Sequence, residues 1–281
     1  MEFLKENRRV LLDVDPGLGK TVIAIKAIED LFDSGDITEP GIWITLAGAL
    51  PAQVATSIHK FSDDSKALVI PAGSDADFAT RQGFYQRARE WEGDYIVLSY
   101  EAVKDDWAEV STLPRGFIVA DEISVIRGFT ADRSLAAKKL SRGVEYRFGL
   151  TGTSIENGKP EELFSLFELI DPDLFGKWNL FDKAFIVRND NGWPERYVNL
   201  KTFHNVLSRR TFTLRAEDPK VAPYMPSTAG DREPMLASMP SATKELYDYI
   251  AQDLLTELRT ASKWGMSFDV SASYGKGKTS K

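Results

Sequence analysis

The stretch Asp13–Thr21, with the sequence DVDPGLGKT, decides how the rest of the chain is interpreted. It follows the apolar run Val10–Leu12 and leads into an apolar segment with helical spacing. Glycine adopts backbone angles that a side chain would forbid, so the amides of such a loop can turn inward around phosphates. Strand, glycine loop and helix together predict a nucleoside triphosphate site.

The loop supplies all the residues that we assign to the nucleotide: Gly17, Leu18, Gly19, Lys20 and Thr21. Lys20 provides a positive charge for the terminal phosphates, and the Thr21 hydroxyl is placed for Mg²⁺. Val14 stands where the strict pattern has a glycine, six residues before the lysine. The loop by itself is therefore also compatible with a glycine turn that binds nothing.

Composition sets outer limits on fold and function. The 281 residues suffice for one large domain or two modest ones, and 43% hydrophobic with 27% charged residues is typical of globular proteins. The absence of cysteine excludes disulfides, thiolate metal sites and cysteine nucleophiles, and the two histidines, His59 and His204, are far apart. A net charge of -7 gives no sign of a nucleic-acid binder, although a groove can be basic on an acidic protein.

Neither a membrane span nor a signal peptide is visible in the sequence. The most apolar stretch, residues 41–55, is too short to span a bilayer and contains Pro51. The first residues lack the apolar core of a signal peptide. We therefore expect a protein without a membrane partner that is cytoplasmic, or that lies in the nucleoid or host cytoplasm if a phage encodes it.

Short apolar runs alternate with helical patterns over the first half of the chain, which predicts an α/β fold with a mainly parallel sheet covered by helices on both faces. The predicted strands are 10–14, 42–46, 67–70, 95–99, 117–120 and 146–150. The predicted helices are 21–32, 51–61, 76–91, 134–140, 161–170, 178–185, 200–207 and 241–263. Residues after about 160 read as helical, and 213–232 as an irregular link.

Two adjacent acids, Asp121 and Glu122, follow the apolar strand 117–120. In parallel sheets, ligands lie beyond the carboxyl ends of the strands, where the glycine loop also falls. Asp121 is predicted to hold Mg²⁺, and Glu122 to orient and deprotonate the water that attacks the γ-phosphate. The alternative is an acidic helix N-terminus with no ligand.

A third segment, Thr151-Gly152-Thr153, follows the strand 146–150. Its hydroxyls would link the two acids to whatever binds on the neighbouring face. On the residues alone, a capping turn at a strand end is the favoured interpretation.

Together these segments resemble one family. GLGKT at 17–21, ADEIS at 120–124 and LTGTSIEN at 150–157 are similar to motifs I, II and III of superfamily-two helicases, and most of all to the SWI/SNF-type ATPases that translocate on double-stranded DNA. Further segments resemble that group in the same order: 97–101, 160–166, 169–176, 207–211 and 243–247. Such colinearity is far more specific than any single motif.

The resemblance implies a RecA-like P-loop NTPase lobe that binds ATP and Mg²⁺. Lys20 and Glu122 would be catalytic, and Thr21 and Asp121 would hold the metal. Three residues would couple the ATP state to DNA: Thr151, Gly152 and Thr153. Three others would lie along a DNA backbone without reading sequence: Thr45, Ser99 and Tyr100.

The resemblance also predicts how the chain is divided. Residues 1–158 would be the lobe core, 159–265 a helical extension and 266–281 a disordered tail. The adenine-reading segment and the second lobe with its arginine finger would be absent, so that ATP would be hydrolysed only slowly unless another chain supplied that lobe. The alternatives are a catalytically weak nucleic-acid-binding module, a truncated fragment that retains the fold and, less favoured, a P-loop kinase.

Overall fold

A parallel β-sheet forms the centre of the computed structural model, which describes residues 2–62, 64–73, 76–152, 159–225 and 244. The strands are β1 (Arg9–Val14), β2 (Gly41–Thr45), β3 (Ala67–Val69), β4 (Tyr95–Ser99), β5 (Phe117–Ala120), β6 (Tyr146–Thr151), β7 (Ile186–Arg188), β8 (Pro194–Tyr197) and β9 (Thr211–Leu214). Within the described residues the main sheet has the order β3-β4-β2-β5-β6-β1-β9, and β7 and β8 form a separate antiparallel pair.

Helices cover both faces of this sheet. They are α1 (Glu2–Glu6), α2 (Lys20–Asp33), α3 (Leu50–Phe61), α4 (Phe78–Arg89), α5 (Tyr100–Asp105), α6 (Trp107–Val110), α7 (Asp132–Leu140), α8 (Pro160–Ile170), α9 (Trp178–Phe185) and α10 (Leu200–Leu207). Helices α2 and α3 pack on one face of the sheet, whereas α4, α5, α7 and α8 contribute to the core on the other.

Strand β2 shows why the sheet is buried on both sides. Ile42 and Ile44 belong to the core on one face, and Trp43 belongs to the core on the other, because successive side chains of a strand point to opposite faces. All its residues are buried, as expected of a parallel sheet between two helical layers. The predicted α/β architecture is confirmed.

The region after residue 160 differs from its prediction as a helical segment. It contributes the β7–β8 pair, and β9 joins the main sheet in parallel alignment with β1. Residues 213 and 214, predicted to be irregular, end this strand. A four-residue strand has too short a pattern to identify it locally, and pairing with β1 is what makes it one.

The sheet therefore extends past residue 158, where the lobe core was predicted to end. The chain divides into two compact units, residues 1–225 and 226–281, and all of the strands and helices named above belong to the first unit. The predicted helix 241–263, apart from Lys244, and the predicted tail 266–281 lie outside the described residues.

In the described part of the chain, no helix combines the length and the apolar character needed to cross a bilayer.

An aromatic cluster joins α8, α9 and α10 to the rest of the core. At its centre, the Phe181 ring lies 4.7 Å from Phe164, 5.3 Å from Phe175 and 5.1 Å from Phe185, measured between ring centroids. The T-shaped and tilted arrangements are those that aromatic pairs prefer.

Replacing Phe181 with alanine is expected to lower the free energy of unfolding by about 3–5 kcal/mol, because it leaves a cavity among these rings. Phe181 is 1% exposed, whereas its neighbour Leu180 is 61% exposed. Leu180→Ala is therefore the matched control, with an expected change below about 1 kcal/mol. Urea unfolding of both variants tests this, and equal losses would contradict the central role of Phe181.

Candidate nucleotide site

Three neighbouring strands end at one edge of the sheet and carry the three predicted motifs there. In the sheet, β6 lies between β5 and β1. Asp13 of β1 is opposite Thr151 of β6, and Ala120 of β5 is opposite Gly149 of β6. Parallel strands bring segments that are distant in sequence to one edge, which is where ligands of such sheets lie.

The glycine loop has the backbone that its sequence predicts. Gly17 and Gly19 have φ of 85° and 83°, a region open to glycine and unfavourable for other residues. Gly19 caps α2 without a side-chain hydrogen bond. The first turn of α2 therefore presents amides and the positive end of its dipole, which is the arrangement that binds phosphate.

Lys20 and Glu122 form an ion pair across the site. The Lys20 Nζ atom lies 3.3 Å from Glu122 Oε1. The lysine comes from the glycine loop and the glutamate from the acid pair, 102 residues later. The fold thus brings the predicted phosphate-binding charge and the predicted base into contact.

Asp121 is the buried member of the acid pair. Burial, and after it the neighbouring Glu122 charge, raise the pKa of its carboxyl to about 6. The Glu122 amide, which donates to Asp121 Oδ1 at 3.0 Å, acts in the opposite direction and lowers this pKa. A cation bound at this edge would likewise stabilise the ionised carboxylate.

Glu122 adopts a left-handed backbone, with φ of 47° and ψ of 48°. Such angles are uncommon for residues with a Cβ atom and cost roughly 1–2 kcal/mol. The strain falls on the residue that pairs with Lys20. Strained backbone of this kind is concentrated at functional sites, which supports a role for the Glu122 carboxylate in the chemistry.

The third motif packs directly on the glycine loop. A Cβ atom added at Gly152 would lie 3.2 Å from Pro16 and 3.3 Å from Lys20 Nζ. Thr151 is completely buried beside this contact. Gly152 therefore leaves just enough room for the glycine loop. Thr153 lies outside the described residues.

Thr45, Ser99 and Tyr100, which the resemblance places along a DNA backbone, have buried side chains. They are 1%, 1% and 0% exposed. The Ser99 hydroxyl caps α5 by accepting from the Ala102 amide, and the Tyr100 hydroxyl donates to the Asp121 carbonyl at 3.0 Å. Tyr100 thus supports the acid pair, and Ser99 supports the start of α5.

One residue at this edge was missed by the sequence analysis. Arg215, directly after β9, donates to Asp13 Oδ2 at 2.5 Å and to Asp15 Oδ1 at 3.1 Å. Asp13 and Arg215 are 202 residues apart, and neither belongs to a recognised motif. The only sequence signal was indirect: two acids at the start of a loop that binds anions need a nearby cation.

Comparisons with known proteins show similarity to proteins that are named as helicases and ATPases. It is 26% identical over 227 residues to an "Uncharacterized ATP-dependent helicase" of Mycoplasma pneumoniae, covering 80% of this chain and 20% of that protein. It is 30% identical over 181 residues to the chromatin-remodeling ATPase INO80 of Kluyveromyces lactis, covering 62% of this chain and 12% of that protein. The chain thus spans a fifth or less of the length of these curated relatives.

A solved structure shares the fold. The Sulfolobus solfataricus SWI2/SNF2 ATPase core in complex with dsDNA aligns with a TM-score of 0.63 at 22% identity, covering 78% of this chain and 42% of that one. The family model described as the SNF2-related domain matches residues 2–264. The resemblance inferred from the motifs is therefore confirmed, and the chain belongs to the SNF2-related domain family.

Proposed function

We propose that this chain is the ATP-binding first motor lobe of an ATP-dependent translocase on double-stranded DNA. The observation that carries the proposal is the contact between Lys20 and Glu122 at the start of helix α2, where the glycine loop ends. This is the charge arrangement needed to bind a triphosphate on one side and to activate water on the other.

The ion pair assigns a role to each partner. In the structure, the Lys20 ammonium and the Glu122 carboxylate neutralise each other. A γ-phosphate is a stronger partner for the lysine because it carries more negative charge. Once Lys20 turns to the phosphate, the Glu122 carboxylate is free to accept a proton from the attacking water.

Thr21 and Asp121 are the residues that would hold Mg²⁺. In the described residues, no group of three or more His, Cys, Asp and Glu side chains could hold a metal ion. Mg²⁺ keeps much of its water and is usually bound by one or two protein ligands together with substrate phosphates, and the Thr21 hydroxyl and the Asp121 carboxylate would be such ligands. When bound, the ion neutralises charge on the β- and γ-phosphate oxygens.

Double-stranded DNA is the proposed partner. The support comes from the family and from the Sulfolobus relative, whose structure was solved with dsDNA. We propose contacts to the phosphate backbone without sequence reading, since such contacts fix position but carry no base information. Since the side chains of Thr45, Ser99 and Tyr100 are buried, we propose that their backbone and the exposed residues of this lobe make these contacts.

We also propose that these 281 residues hydrolyse ATP slowly without a second lobe. Related NTPases gain about 10³–10⁵ in rate from an arginine that another element or protein supplies to the phosphates. Arg215, which lies at this edge, is already bound to Asp13 and Asp15. A second lobe on another chain, or further along a longer protein, would supply the missing charge.

The purified chain is expected to bind Mg·ATP and to turn it over far below the roughly 1–10³ s⁻¹ typical of enzymes. Phosphate release is measured with and without double-stranded DNA, alongside binding of a fluorescent ATP analogue. Failure to bind nucleotide would overturn the ATPase assignment. Turnover within the typical range, stimulated by DNA, would show that a second lobe is not needed, and DNA binding without nucleotide binding would support the weak binding module instead.

A further inference from the structure

We propose that Arg215 is a positioning residue for the phosphate loop, and that it makes the loop competent for nucleotide by compensating two carboxylates built into it. The proposal rests on the proposed ATP site. Its basis is the contact of one guanidinium with Asp13 at the end of β1 and Asp15 in the loop itself.

Arg215 holds both acids with several bonds. Its Nη1 atom lies 3.1 Å from Asp13 Oδ1 and 3.1 Å from Asp15 Oδ1, and its Nη2 atom lies 2.5 Å from Asp13 Oδ2. The next residue adds a backbone contact, since the Ala216 amide donates to Asp15 Oδ2 at 2.8 Å. The planar fork of arginine suits such a shared site, and lysine could not reproduce it.

The arrangement is fixed by the sheet. Leu214 of β9 lies opposite Val14 of β1, and the Asp15 amide donates to the Leu214 carbonyl at 3.0 Å. Arg215 therefore follows its strand at the level where the loop leaves β1. The Asp15 carbonyl in turn accepts from the Leu18 amide at 3.2 Å, which closes the first turn of the loop. Arg215 thus holds the loop at its root.

The charges of the two aspartates explain why the loop needs Arg215. Asp13 and Asp15 place two negative charges at the entrance of a site for a triphosphate, which is itself strongly negative. Asp13, Asp15 and Arg215 together carry a net charge of about −1, and without Arg215 the two aspartates would carry about −2. Asp13 is buried, at 4% exposure, so its charge is poorly screened by water and most in need of a partner.

The order of nucleotide affinities of the native chain and three variants tests this effect of net charge. Asp15→Asn is expected to bind most tightly, the native chain and the double variant Arg215→Met/Asp15→Asn about equally, and Arg215→Met most weakly. We expect Arg215→Met to weaken binding of a fluorescent Mg·ATP analogue about tenfold, the effect of one unit charge near a partly solvated site. Raising the salt concentration should shrink the difference.

Arg210→Met is the matched control, at the other end of β9. Arg210 is 36% exposed and pairs with the buried Asp171 at 2.9 Å, while Arg215 is 38% exposed and pairs with the buried Asp13. Both substitutions remove an ion pair of the same kind, so both should lower the urea midpoint. Only Arg215→Met should weaken nucleotide binding.

The outcomes separate the two proposals. If the native chain does not bind the analogue, the ATP site itself is wrong. If the native chain binds it and Arg215→Met binds equally well, or the double variant stays as weak as Arg215→Met, the role of Arg215 is overturned. If Arg215→Met does not fold, Asp15→Asn still decides, because Arg215 keeps Asp13 and the affinity must rise or the charge argument fails.

Discussion

Glu122→Gln is expected to lower ATP turnover at least about 10²-fold while Mg·ATP affinity is kept or raised. A general base contributes typically 10²–10⁴-fold, and glutamine keeps the shape of the side chain but cannot accept the proton. The substitution also releases Lys20 from its ion pair, which favours phosphate binding. Hydrolysis of radiolabelled ATP and equilibrium binding of a fluorescent analogue measure the two effects separately.

Glu168→Gln supplies the comparison for this variant. Glu168 also accepts from a lysine, Lys138 at 2.9 Å, and its side chain is similarly exposed, at 39% against 42% for Glu122. ATP turnover by the Glu168→Gln variant should match that of the native chain. Equal rates in the native and Glu122→Gln proteins would remove Glu122 from the chemistry and leave the left-handed backbone at this position without a catalytic reason.

Lys20→Ala is expected to weaken Mg·ATP binding about 10²-fold. Hydrogen bonds to charged groups are worth about 1.5–3 kcal/mol, and the substitution also leaves the Glu122 charge facing the phosphates. Lys26→Ala removes a lysine from the same helix, where its ion pair with Glu29 is exposed, and should bind like the native chain. Titration calorimetry would reveal the difference, and tight binding by Lys20→Ala would contradict the assignment of the loop.

The parts of the site that the sequence predicted are those that lie within single segments. The glycine loop and the acid pair are each continuous in sequence, and apolar runs before them predicted the strands that deliver them to one edge. Parallel topology then requires the ends of such strands to lie together. That reasoning places Lys20 near Glu122, and the 3.3 Å contact agrees with it.

What the sequence could not predict depends on pairing and burial. Strand β9 is four residues long, and Arg215 gains its role from β1, some two hundred residues earlier. The sequence also does not predict whether the side chains at the end of a strand turn towards the core or towards the surface. Ser99 and Tyr100 turn inward and support helix α5 and Asp121, although their place in the resemblance suggested a surface facing DNA.

The position of β1 between β6 and β9 has a consequence for how the protein is made. Strand β1 is synthesised long before its two sheet neighbours, which are residues 146–151 and 211–214. Contacts this distant in sequence close slowly. In the nascent chain, one edge of this apolar strand therefore stays unpaired until β6 has been synthesised and the other until β9 has, which favours chaperone binding or aggregation.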